Sequence, residues 1–270
     1  MTPAVESLSP AEARRRDAFL RLARAVGAYL HESQRERGVS ALHVESGRKL
    51  FARDLGEQRA RTDARARGAT TLVESVGPAL LGDAPAALDR IGAAVRGVAD
   101  TRAEIERSAA TSGRVVDAFT RLNAELLAAF DDGAAHVSEG PVRGLAFAAV
   151  ALQHAKEKVG LERARLGAAL VAGGLGDADR LALAELIAAQ ATYLHIYSMT
   201  APTTAAQMLR RVLAAPPALE VKRFEDRLMA TSTSRPVAPV DARAWFATIS
   251  RKIEMLGDVG DATLSFLPTH

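Results

Sequence analysis

The sequence contains no cysteine, which excludes a disulfide framework, a thiolate metal site and a cysteine nucleophile. Aromatics make up only 4% of its 270 residues, with one Trp and three Tyr, so the stacking platform that single-stranded nucleic acid needs is poorly supplied. Long apolar runs are missing as well. The uncharged apolar run at residues 144–155 is far shorter than the roughly 20 residues that cross a bilayer. The opening stretch MTPAVESLSPAEARRR holds no apolar core of the secretory kind. A cytoplasmic chain without membrane contact is the expectation.

Catalytic signatures are equally scarce. Gly173-Gly174-Leu175-Gly176 lacks the Lys-Ser/Thr and the preceding strand of a phosphate loop. The Glu-x-x-His pairing of di-iron bundles is absent. The six histidines are scattered, and His31 and His43 lie too far apart on one helix to share a metal. No Ser-His-Asp order and no DNA-reading helix-turn-helix stands out. The chain is therefore not read as an enzyme, and neither a metal, a cofactor nor direct nucleic-acid binding is expected. The net charge of +3 is too mild to imply a polyanionic partner, and the excess of Arg over Lys follows an Ala- and Arg-rich composition.

What is present is helical periodicity almost throughout. Ser9-Pro10-Ala11-Glu12 reads as a capped helix start. Phe19, Leu22, Ala23, Val26 and Leu30 then recur on one helical face, as far as a stop near Gly47. A second helix is expected over about 49–76, ended by Gly77-Pro78, and a third from Asp83-Ala84-Pro85 to an interruption at Ser112-Gly113. The fourth is expected to end near Phe130, before Asp131-Asp132-Gly133. The long fifth opens between Ser138 and Pro141 and ends at Gly173-Gly174. Asp177 is read as the cap of a sixth helix broken or kinked near Pro202. Pro216-Pro217 precedes a seventh, and Asp241, after a Pro-rich linker from Pro236, caps an eighth with Trp245, Ile249, Ile253 and Leu256 facing inward. The fold class is all-α, about eight helices in two four-helix bundles. A lead-in over 1–16 is followed by one domain over 17–266, made of two similar halves near 17–135 and 136–266.

Two charged segments stand out within the long apolar-striped helices. They are Gln34-Arg35-Glu36-Arg37-Gly38-Val39-Ser40 and Lys156-Glu157-Lys158-Val159-Gly160-Leu161-Glu162-Arg163-Ala164. Exposed Glu–Arg pairs at three- and four-residue spacing would account for them as solvated surface. The glycines favour another reading, since Gly in a helix costs about 1 kcal/mol relative to Ala and needs a reason such as a close neighbour or ligand. An Arg guanidinium is a planar fork of donors matched to a planar oxyanion. Two forks from two long helices would hold one small anion between them. Without it the cations repel, and the helices either sit apart or recruit carboxylates.

At these residues the sequence resembles the NIT family of nitrate- and nitrite-sensing domains. Gln34 to Ser40 matches the family's Gln-x-Glu-Arg-Gly-x-Ser segment, and Gln58-Arg59-Ala60-Arg61-Thr62-Asp63 its Gln-Arg-x-x-Thr-Asp. Lys156 to Ala164 matches Lys-Glu-x-x-Gly-x-Glu-Arg-Ala, followed by Gln190, Tyr193 and the Trp245-Phe246-Ala247-Thr248-Ile249 stretch. The resemblance spans roughly 17–266. It implies a sensor of two helical bundles binding nitrate or nitrite between arginines: Arg37 and Arg163 first, Arg35 next, and a later arginine, Arg223 or equally Arg227. The output module that usually accompanies such a domain is not seen, so a regulatory partner protein or a missing output domain is implied. A homodimer is compatible with this reading, and a ligand-free helical adaptor of the same fold is the alternative.

Overall fold

The computed structural model describes residues 10–80, 85–107, 110–135, 137, 140–230 and 241–266. Among these residues it is all helical. The helices are α1 (Pro10–Glu45), α2 (Ala52–Leu80), α3 (Pro85–Glu106), α4 (Ser112–Ala135), α5 (Gly140–Ala172), α6 (Asp177–Thr200), α7 (Thr203–Leu213), α8 (Pro216–Ala230) and α9 (Ala242–Ser265). Ser9, Asp83, Ala84, Ser138 and residues 236–240, to which the sequence assigns caps and a linker, lie outside the described residues.

The predicted apolar face of α1 is the core. Phe19, Leu22, Ala23, Val26 and Leu30 are all buried, and they pack with Ile91, Val98, Leu126 and Phe130 of α3 and α4. Helices α1 to α4 form one bundle, in which α1 lies against α2 and α4, and α3 against α4. In the second, α5 packs on α6 and α9, and α9 packs on α7 and α8 around Trp245, Ile249, Ile253 and Leu256. At 36 and 33 residues, α1 and α5 run about 50 Å each and lie against one another between the bundles. Their contacts advance together, Gly27 with Gln153, Gln34 with Gly160 and Leu42 with Gly167, so the two helices run parallel.

Several punctuation marks in the sequence act differently from expectation. Gly77-Pro78 does not stop α2, which continues to Leu80. The hydrogen bond that proline removes falls in the final turns, where little helix remains to be disrupted. Ser112-Gly113 opens α4 instead of closing α3. Asp131-Asp132-Gly133 is interior to α4. There Asp131 meets His154 at 3.0 Å and Asp132 meets Arg90 at 3.3 Å, while a Cβ on Gly133 would lie 2.4 Å from Leu22. That glycine serves close packing of α4 on α1, not termination. The cap of α6 is Gly176, with Asp177 in the first turn; the Asp179 carboxylate accepts from the Gly176 amide at 3.1 Å. Pro202 breaks the predicted sixth helix in two, giving nine helices among the described residues. Asp241 caps α9 as expected, accepting from the Arg243 amide at 2.9 Å. No helix among the described residues is long and apolar enough to cross a membrane.

Candidate anion site

The charged segments are not a solvated face. Glu36 and Arg37 on α1 are fully buried, and Glu162 and Arg163 on α5 are 1% exposed. The surface-pair reading fails because these side chains are buried against neighbouring helices, the two arginines between α1 and α5, Glu36 against Arg102 of α3 and Glu162 against Gln190 of α6. The glycines explain how so much side chain fits. A Cβ on Gly160 would stand 3.0 Å from Nη2 of Arg37, and one on Gly38 would stand 3.3 Å from Nε of Arg163. Each helix thus supplies the bare backbone over which the other's arginine lies.

The two arginines differ in how they are satisfied. Arg37 holds the Glu157 carboxylate in a two-bond grip, Nη1 to Oε1 at 2.5 Å and Nη2 to Oε2 at 3.2 Å, and its Nη1 also donates to Thr120 Oγ1 at 3.1 Å. Gln34 Nε2 donates to the same carboxylate at 2.9 Å. Arg163 has no carboxylate within ion-pair distance among the described residues. It donates to Ser250 Oγ at 3.0 Å and to the Gln34 carbonyl at 2.8 Å, and it stacks on the Phe246 ring 4.9 Å from its centroid. Burial, then repulsion from Arg35 and Arg37, pushes its guanidinium down to about 9, with Glu157 and Glu254 opposing. Nε of Arg37, Nε of Arg163, Oε1 of Gln34 and Oγ of Ser40 are buried with no hydrogen-bond partner among the described residues. Two buried cations share one carboxylate, so the cluster is one negative charge short. An unpaired charge in a low-dielectric interior is costly, and a monoanion there would relieve it.

Arg35 stands at the edge of this cluster, half-buried, with Nη1 bonded to Glu254 of α9 at 3.0 Å. Beside it a cleft of about 260 Å³ opens between α1, α5 and α9, lined in part by His31, Lys156, Glu254 and Asp258. Burial, then Lys156, Arg163 and Arg35, push the His31 imidazole down to about 3, so it is neutral at ordinary pH. Burial lowers the Lys156 amine to about 8, Asp261 and Asp258 opposing. Arg223 is not brought to the cluster. It is exposed on α8, which packs on α6, α7 and α9 but not on α1. Arg227 is on the same exposed side of α8, its guanidinium over Phe224.

The remaining quoted motifs build the surroundings. Glu36 is gripped by Arg102 of α3, Nε to Oε1 at 2.7 Å and Nη2 to Oε2 at 2.8 Å, and the same Arg102 reaches Asp63 at 2.6 Å. Gln58 of α2 donates to Glu32 at 2.7 Å. In the second bundle Gln190 donates to Glu162 at 2.7 Å, and Lys252 bonds Glu225 at 3.2 Å. Burial and Glu225 raise the Glu162 carboxyl to about 7, with Lys252 and Gln190 opposing. Tyr193 stacks on His154 at 5.0 Å. Sequence reasoning missed Glu157 and Gln34 as participants although both lie in the quoted segments. Phe246 lies in the quoted Trp245–Ile249 stretch but was given no role, and nothing in the sequence pointed to Ser250 or Arg102, which arrive from distant helices.

The model of a family described as nitrate and nitrite sensing, NIT, matches residues 28–266. Among solved structures the chain is similar to that of the NasR transcription antiterminator, with a TM-score of 0.83 and 21% identity over 95% of this chain and 69% of that one. No sequence among the curated proteins matches it.

Proposed function

The chain belongs to the NIT family of nitrate and nitrite sensing domains, and from that premise we propose that it senses one of these anions at Arg37 and Arg163 and signals to a regulatory partner protein. The observation that carries this reading is the missing negative charge: Arg163 is 1% exposed, unpaired by any described carboxylate, and beside a second buried arginine. A small planar monoanion fits such donors because it offers coplanar oxygens to guanidinium N–H groups. Arg35, at the edge of the cluster, is the third contact we assign, and Arg223 is left out. The ligand acts on signalling by favouring the arrangement of α1 and α5 in which both arginines converge on it.

The test is a thermal-shift titration of the purified chain with nitrate, nitrite, formate, chloride and sulfate at constant ionic strength. A ligand at 100 times its dissociation constant adds about 2.7 kcal/mol to the native state, which raises the Tm by about 5 °C for a chain of this size. A saturable rise with nitrate or nitrite, lost in Arg163→Ala, is the expected result. A flat response to all five overturns the proposal. It would favour a ligand-free helical adaptor, a reading motivated by Glu157 already filling the fork of Arg37.

A further inference from the structure

Resting on that reading, we infer that Glu157 is a built-in competitor for the anion: its carboxylate occupies the fork of Arg37 in place of ligand, and the ligand binds by exchanging with it. Three features of the cluster lead here. The Glu157 carboxylate presents two coplanar oxygens to the two Nη atoms of Arg37, which is the grip a nitrate or nitrite would take. Its second donor, the Gln34 amide, is on the residue whose carbonyl also accepts from Arg163, so the groups around the tethered carboxylate are already tied to the second arginine. The carboxylate belongs to α5 and the fork to α1, so the exchange changes a bond between the two central helices.

Competition of this kind has consequences for affinity and for selectivity. A tethered carboxylate is present at a high local concentration, so it lowers the apparent affinity for every external anion. It falls hardest on anions that cannot match the bidentate grip, a sphere such as chloride or a poorly fitting tetrahedron such as sulfate. Planar anions with two coplanar acceptors are the ones able to take its place. Once displaced, the Glu157 carboxylate must leave a site from which water is excluded. The α1–α5 contact then changes whenever ligand binds.

The decisive experiment compares nitrate, nitrite and formate binding to the full chain and to its Glu157→Gln variant, by calorimetry at constant ionic strength. The glutamine keeps the shape and removes the charge, so the competitor reading expects binding at least tenfold tighter than wild type. Formate, a free carboxylate, should stabilise Glu157→Ala in a saturable way and at lower concentrations than it stabilises wild type. Far-UV circular dichroism checks folding. If Glu157→Gln does not fold, Glu157→Asp, which retracts the carboxylate by one methylene, takes its place and is again expected to bind more tightly. Wild type that binds nitrate or nitrite alongside a variant that binds equally or more weakly overturns the competitor and makes Glu157 a positioning residue for Arg37. Wild type that binds neither anion, with a Glu157→Gln variant that does, overturns exchange, since the carboxylate then excludes the anion outright. Failure of both proteins to bind any of the three anions overturns the nitrate-sensing reading together with this inference.

Discussion

Replacing each of the two buried arginines by methionine should have very unequal consequences in the absence of ligand. Arg37→Met removes the partner of Glu157, whose carboxylate is 5% exposed and would keep only the Gln34 amide and whatever backbone it can reach. Breaking one side of a buried pair costs about 3–5 kcal/mol, because the surviving charge stays desolvated. At about 2 °C per kcal/mol for a chain of this size, the Tm should fall by about 6–10 °C. Arg163→Met removes a cation that no described carboxylate balances. The variant loses hydrogen bonds to Ser250 and to the Gln34 carbonyl, worth about 1.5–3 kcal/mol each because the donor is charged. Against that loss stands the removal of a desolvated charge that Arg35 and Arg37 repel, a term of opposite sign and at least similar size. The net change should lie within about 1 kcal/mol of wild type, or under about 2 °C. Differential scanning calorimetry at pH 7 in a buffer free of small oxyanions measures both. Equal losses in the two variants would refute the charge accounting, since they would mean that Arg163 is compensated as well as Arg37 is.

Two further outcomes follow from the geometry. Gly38→Ala places a Cβ 2.9 Å from the Phe246 ring and 3.3 Å from Nε of Arg163, and should lower stability by about 1–3 kcal/mol despite the better helix propensity of alanine, as read from urea unfolding. An unchanged or raised midpoint would mean that the α1–α9 spacing is looser than these distances. The His31 imidazole is held at about 3 in the folded chain against an ordinary 6.5, so its contribution is fully present above 6.5 and is lost as pH falls toward 3. Within that window the stability difference between wild type and His31→Gln should change by about 1.4 kcal/mol per pH unit, and a difference independent of pH would show that His31 is not held neutral beside Lys156 and Arg163.

The all-helical class, the core face of α1 and the Pro202 break were legible in the sequence because periodicity and proline geometry act over a few residues, within one helix. Composition likewise argued against disulfides, thiolate chemistry and a spanning helix without reference to any contact. The two arginine segments were legible for the same reason: glycine inside a helix is a local anomaly, and it pointed to the place where α1 and α5 meet. Gly133 and Pro78 were misread because a glycine packed against Leu22 and a glycine that ends a helix look alike until the neighbouring helix is known. Which charges were buried, and which were paired, only the tertiary structure decided. Arg37 and Arg163 carry the same signature in sequence, Glu-Arg beside a glycine, yet one grips Glu157 and the other has only neutral acceptors. That asymmetry comes from groups on α4, α5 and α9 converging across the interface. The interaction between buried charges depends on distance and dielectric, and neither quantity exists until the chain has folded.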